Sequence, residues 1–173
     1  MQSCNTPTIA EIYNSSGVTA PKIFAKIDLR QAYHQLEVHV NSRKYMTIVT
    51  SGGRILTYRR LCQGCASAPT LCTFALNQHF RKYPELYKCI IIFLDDILLC
   101  SQNEEHHLKI LRVLFQALRE GQLAPHPLKC ELFNRRVNFL GFTLYDGKII
   151  PQAQKLTEIK SLPGPINGSS GHS

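Results

Sequence analysis

From Ile23 to Leu29 the chain alternates: Ile23, Ala25, Ile27 and Leu29 interleave with Phe24, Lys26 and Asp28. That period of two predicts a strand with Asp28 on the face opposite the aliphatic residues. Two further β-prone runs, 45–50 and 54–58, are joined by Ser51-Gly52-Gly53 and predict a hairpin. Ser67 with Pro69 in the first turn predicts a helix start, and Cys72, Leu76, Phe80 and Tyr83 recur near helical spacing until Pro84 ends it. Residues 89–94 and 97–100 read as two short apolar strands around Asp95-Asp96. Ser101, three residues before Glu104, suits a capping box. Behind it Leu108, Leu111, Phe115 and Leu118 line one helical face, stopped by Gly121. Runs 137–145 and 148–150 flank Asp146-Gly147, a second hairpin turn.

The order is therefore strand, hairpin, helix, hairpin, helix, hairpin. It predicts an α+β domain with a mostly antiparallel sheet packed against helices. Residues 1–20, broken by Pro7 and Gly17, read as a lead-in with one short helix near 9–13; residues 163–173 read as a flexible tail.

Length and composition narrow the class. At 173 residues one domain is expected, and 44% hydrophobic against 18% charged residues can form a core, which excludes a disordered chain. Residues 1–88 hold eleven basic and four acidic side chains, whereas residues 89–173 hold nine and eight. A basic half meets a polyanion or simply solubilises a surface. The most apolar stretch, residues 90–99, is interrupted by two aspartates and falls well short of the ~20 residues that span a bilayer. With no signal-peptide pattern and seven cysteines, free thiols and an intracellular, cytoplasmic or nuclear location are expected. Cys62 and Cys65 have metal or redox spacing, but a lone pair is a weak signal.

The Asp95-Asp96 pair demands explanation, because its neighbours are apolar enough to be buried on both faces. Ionised groups are expensive to bury unless paired or bound to a cation. One reading is an exposed turn that happens to use two aspartates. The other is a site for hard cations, completed by Asp28 at a strand end. Three carboxylates suit two-metal phosphoryl transfer, with ions roughly 3.5–4 Å apart.

At this point the chain resembles a known family. Phe24-Ala-Lys-Ile-Asp28-Leu-Arg-Gln-Ala-Tyr33-His-Gln is similar to the first catalytic box of reverse transcriptases of gypsy-type LTR retrotransposons and their retroviral relatives. Phe93-Leu-Asp-Asp96 resembles the aromatic-X-Asp-Asp box, with Phe for the more usual Tyr. Leu61-Cys-Gln-Gly-Cys-Ala-Ser-Ala-Pro69 resembles the box between them, and Lys129-Cys-Glu-Leu-Phe and Asn138-Phe-Leu-Gly141 resemble the closing motifs. The set runs in family order over residues 7–162.

The resemblance implies a polymerase palm over residues 21–162, with partial fingers and no thumb. It implies an RNA-directed DNA polymerase that uses two Mg²⁺ ions, or Mn²⁺, on dNTPs and an RNA or DNA template-primer. Asp28, Asp95 and Asp96 would be the catalytic metal ligands, Asp96 the less essential. Tyr33 would be the steric gate against a ribose 2′-hydroxyl, with a core tyrosine as the alternative. Gln63 would lie near the incoming sugar. Phe139, Leu140 and Gly141 would form the primer grip, or an ordinary buried hairpin. Arg54, Arg59, Arg60, Arg81 and Lys82 would hold nucleic-acid phosphates or form a solvated face. Lys129 reads either as a general acid or as a surface lysine, and His106 and His107 as exposed helix residues. Cys62 replaces a customary Pro, and Cys72 a customary aromatic residue. The family's upstream triphosphate-holding stretch and its thumb, connection and ribonuclease H regions have no counterpart here. A truncated fragment is thus expected, completed by further Pol segments or a second subunit, and located in a virus-like particle if part of an active element. The competing expectation is an inactive, domesticated or degenerate remnant that binds nucleic acid through its basic surface.

Overall fold

The computed structural model describes residues 20–64 and 66–152. The helix expected near 9–13, the tail at 163–173 and Cys65 lie outside the described residues. Four strands form the central antiparallel sheet: β1 (Ile23–Asp28), β4 (Ile90–Phe93), β5 (Asp96–Ser101) and β6 (Glu131–Asn134), in the order β4-β5-β1-β6. Between β1 and β4 come a one-turn helix α1 (Ala32–Gln35), a 3₁₀ turn (Val40–Tyr45), the hairpin β2 (Thr47–Val49) and β3 (Ile55–Thr57), helix α2 (Ala68–Phe80) and a second one-turn helix α3 (Pro84–Tyr87). Helix α4 (Glu104–Glu120) follows β5. The meander β7 (Arg136–Phe139), β8 (Phe142–Tyr145) and β9 (Lys148–Pro151) closes the described chain.

Strands β1, β4 and β5 of the central sheet are largely buried on both faces, which explains their apolar runs, whereas the edge strand β6 is mostly exposed. Ala25, Ile27, Ile90, Ile97 and Leu99 point toward Leu76 and Phe80 of α2 and Ile110, Leu114 and Leu118 of α4. The alternate residues Phe24, Ile91, Leu98 and Cys100 pack on Val137, Phe139 and Leu144 of the meander. The molecule is therefore three-layered: helices, central sheet, small sheet. The expected α+β architecture holds, as does the period-two placement of Asp28 opposite Ala25 and Ile27.

Several local expectations are corrected. Pro84 does not end α2, which stops at Phe80; it opens α3, where its missing N–H removes nothing. Ser101 does not cap α4. It ends β5 fully buried, and Asn103 is the cap, accepting the His106 N–H at 2.9 Å. The buried stripe of α4 is consequently His107, Ile110, Leu114, Ala117 and Leu118, while Leu108 and Phe115 stay largely exposed. His107, expected on the surface, has no exposure at all. Finally, run 137–145 is two strands, not one. Leu140 and Gly141 both adopt positive φ (49° and 77°), the pattern of a type I′ turn that the absent Asn-Gly signature concealed. Asp146-Gly147 makes the same turn, as expected (46° and 70°).

Candidate active site

The β4–β5 hairpin carries the aspartate pair. Phe93 pairs with Asp96 across a two-residue loop, so Leu94 and Asp95 form the turn itself. Leu94 has a φ of 54° and Asp95 is not in that region, the pattern of a type II′ turn, which normally places glycine first. A leucine there is strained by roughly 1–2 kcal/mol. The neighbouring strand supplies the third carboxylate: Asp28 lies directly opposite Asp96 in the β1–β5 register, and the Leu29 N–H donates to the Asp95 carbonyl at 2.8 Å. Directly paired residues project to one face. Asp28 and Asp96 therefore share the face of Phe24 and Leu98, the one the meander covers.

Two lysines meet these acids. The Lys26 ammonium, two residues before Asp28 on the same face, lies 3.7 Å from Asp96 Oδ1, and that of Lys129 lies 3.6 Å from Asp28 Oδ2. Lys26 is an ion-pair partner beyond hydrogen-bonding distance, and Asp96 Oδ1 is buried with no hydrogen-bond partner. Burial raises the Asp96 carboxyl above its ordinary range; Lys26 pulls it down, and Asp95 and Asp28 push it up. A buried oxygen acceptor with no hydrogen bond, among further carboxylates, fits a hard cation such as Mg²⁺. Among the described residues no three His, Cys, Asp or Glu side chains are already gathered as a metal cluster.

Tyr33 stands on α1, half-buried. Burial, with smaller contributions from Cys72 and Asp95, raises its hydroxyl above the ordinary value. Cys72, on the buried face of α2, points its thiol at the Leu94 carbonyl (4.0 Å), and burial with Asp95 pushes it up to about 11. Gln63 is exposed in the turn between β3 and α2. Phe139 is a core residue of the meander, whereas Leu140 and Gly141 form the adjoining turn, whose Gly141 carbonyl accepts the Gln152 N–H at 3.0 Å.

The five basic residues are all exposed but are not one cluster. Arg54 is at the β2–β3 tip and Arg59 follows β3. Arg60 is engaged, donating to Gln35 O at 2.9 Å and pairing with Glu37 at 3.5 Å. Arg81 and Lys82 sit past the far end of α2, about 20 Å along that helix from its start. There Arg81 stacks on Tyr87 at 5.8 Å. Sequence reasoning does not pick out Lys26, which the structure places beside Asp96. Its parity with Asp28 along β1 could have found it.

Comparison with known proteins decides the family. The reverse transcriptase (RNA-dependent DNA polymerase) family matches residues 2–144. The chain belongs to the reverse transcriptase family. It is 30% identical over 164 residues to the retrovirus-related Pol polyprotein from transposon 412 of Drosophila melanogaster, covering 95% of this chain and 13% of that polyprotein. To the transposon Tf2-3 polyprotein of Schizosaccharomyces pombe it is 25% identical over 145 residues, 84% of this chain and 11% of that one. The foamy viral protease-reverse transcriptase in complex with double-stranded DNA has the same fold, with a TM-score of 0.71 at 22% identity, over 95% of this chain and 28% of that chain. This reverse transcriptase segment thus spans 11–14% of the curated polyproteins it matches. Its mixed helix and antiparallel-sheet fold is that of the polymerase neighbours. Among the described residues no helix is long and apolar enough to cross a membrane.

Proposed function

We propose that this chain is the catalytic palm of an RNA-directed DNA polymerase, one piece of a longer Pol polyprotein, that joins dNTPs to a primer 3′-hydroxyl. The single observation that carries the reading is the convergence of Asp28 and Asp96 in one register, beside the Asp95 turn, with a buried Asp96 oxygen that nothing hydrogen-bonds. Asp28, Asp95 and Asp96 would hold two Mg²⁺ ions, or Mn²⁺. When bound, such ions supply charge neutralisation and activation of the attacking hydroxyl. The chain's own residues do the positioning. The β4–β5 turn fixes Asp95 against Leu29, Tyr33 limits space at the sugar, Gln63 lines the approach to it, and the Phe139-Leu140-Gly141 turn supports the primer terminus. Exposed Arg54, Arg59, Arg81 and Lys82 bind phosphates without reading sequence. Primer extension on an RNA template with Mg²⁺ and dNTPs tests this. Asp95→Asn should lower the rate on the order of a hundredfold or more, as loss of a charge-stabilising group does. Equal extension by both proteins refutes it.

A second reading is favoured by the two lysines that already neutralise Asp28 and Asp96. The chain would then be an inactive intracellular remnant that binds nucleic acid through its basic surface. Template-primer affinity unchanged by Asp95→Asn and by chelating Mg²⁺ supports it. Binding abolished at about 150 mM salt removes it.

A further inference from the structure

Gln35 ends α1, the helix that carries Tyr33, and its side chain meets a segment distant in the sequence. Nε2 donates to the Arg30 carbonyl and, at 3.2 Å, to the Ala124 carbonyl; Oε1 accepts the Ala124 N–H at 2.5 Å. One amide thus engages both backbone groups of a residue 89 positions away, as an adjacent strand would. The surroundings extend the same seam. The Arg30 N–H donates to Ala124 O at 2.9 Å, Leu29 bridges Pro125, and the His126 N–H donates to Asp28 O at 2.8 Å. Lys129, whose N–H donates to His126 O at 3.0 Å, then reaches the Asp28 carboxylate.

The helix needs this fastening. It has four residues, its entry residue Gln31 lies at a φ of 50° without a side-chain cap, and a single turn does not hold itself in water. Ala32 is its one fully buried residue, with Tyr33 packed partly buried against the core and Arg60 donating to its last carbonyls.

We propose that Gln35 is a positioning residue that locks the Tyr33 helix to the 122–130 loop, and so fixes the Tyr33 ring relative to the segment whose Lys129 pairs with Asp28. The inference rests on the polymerase reading above, since selection of deoxynucleotides by Tyr33 is what the lock would serve. Gln35→Glu keeps the shape and the acceptor but turns the Nε2 donors into an anionic oxygen facing two carbonyls. Gln35→Ala removes the amide altogether.

Two measurements on the full chain test it. Amide hydrogen exchange at Arg30, Ala124 and His126 should quicken on the order of tenfold in both variants, as expected for the loss of one or two hydrogen bonds. Unchanged protection overturns the proposal. In primer extension, the kcat/KM ratio for deoxy- over ribonucleotides should fall by about the same factor, since about 1.4 kcal/mol of gate displacement is tenfold. If exchange quickens while that ratio stays at the wild-type value, Gln35 only supports the fold and the positioning role is overturned. A wild-type chain that extends no primer refutes the polymerase reading instead, and hydrogen exchange alone then judges the lock.

Discussion

Replacing His107 with leucine should destabilise the fold by about 2–4 kcal/mol at pH 8, by an amount that shrinks as the solution is acidified. The ring is fully buried, with Nε2 2.8 Å from the Leu132 carbonyl and Nδ1 3.0 Å from the Ser101 hydroxyl. A carbonyl only accepts, so Nε2 carries the proton and Nδ1 accepts from Ser101: the neutral tautomer satisfies both neighbours. Leucine leaves the buried Ser101 hydroxyl without its acceptor, worth about 1–3 kcal/mol. It also removes the edge-to-face contact with Phe133, 5.1 Å between centroids, worth about 0.5–1.5 kcal/mol. Leu132 is 41% exposed, so water can replace the third contact. At this chain length the midpoint of thermal unfolding should drop by about 5–15 °C.

The pH dependence tests the cause. Burial lowers the His107 pKa from its ordinary value near 6.5, against a smaller opposing pull from Leu132. The unfolded state therefore takes up the proton first. Stability from this group is intact above the unfolded value and is lost as pH falls from there toward the folded value, at up to about 1.4 kcal/mol per unit. The variant lacks that loss, and the other six histidines are common to both proteins. Urea denaturation of wild type and His107→Leu at pH 8 and pH 5 should show the gap closing. A gap that is constant or widens in acid refutes the neutral buried tautomer. A gap below about 0.5 kcal/mol at pH 8 refutes the burial itself, because such values are typical of surface substitutions.

Two further substitutions probe other joints. Gly121→Ala should cost about 1–3 kcal/mol in chemical denaturation, as overpacking does. The added Cβ would stand 2.7 Å from Nε2 of His79, the atom that contacts Ala117 O at 2.8 Å, so glycine is required by close approach at a φ of −78° that any residue adopts. Lys26→Met should leave the Asp96 carboxyl without the cation that lowers it, moving its titration further upward in carboxyl-resolved NMR. For a carboxyl already raised in the fold, stability is present below the unfolded pKa and lost as pH rises through the folded one, so the variant should lose most near neutrality.

The chemistry was more legible than the local geometry, for a physical reason. Asp28 and Asp95-Asp96 stood out because charges among apolar residues need a partner, and period-two alternation put Asp28 on the correct face. The face it shares was not legible. Phe24, Leu98 and Cys100 gave no hint of what would cover them, since that is decided by the meander more than thirty residues later. The α4 stripe failed through a neighbour of the same kind. Leu108 and Phe115 look like core, but Ser101 could not be both the end of a buried strand and the helix cap. Once Asn103 took the cap, the helix turned so that His107 faced inward, satisfied by Ser101 and Leu132. Hydrophobicity alone ranks leucine over histidine, whereas a histidine whose two nitrogens are both engaged no longer pays for leaving water. Gln35 makes the same point at the site. A glutamine in a catalytic box carries no signal of its own, and its role exists only because the chain returns at Ala124 to meet it.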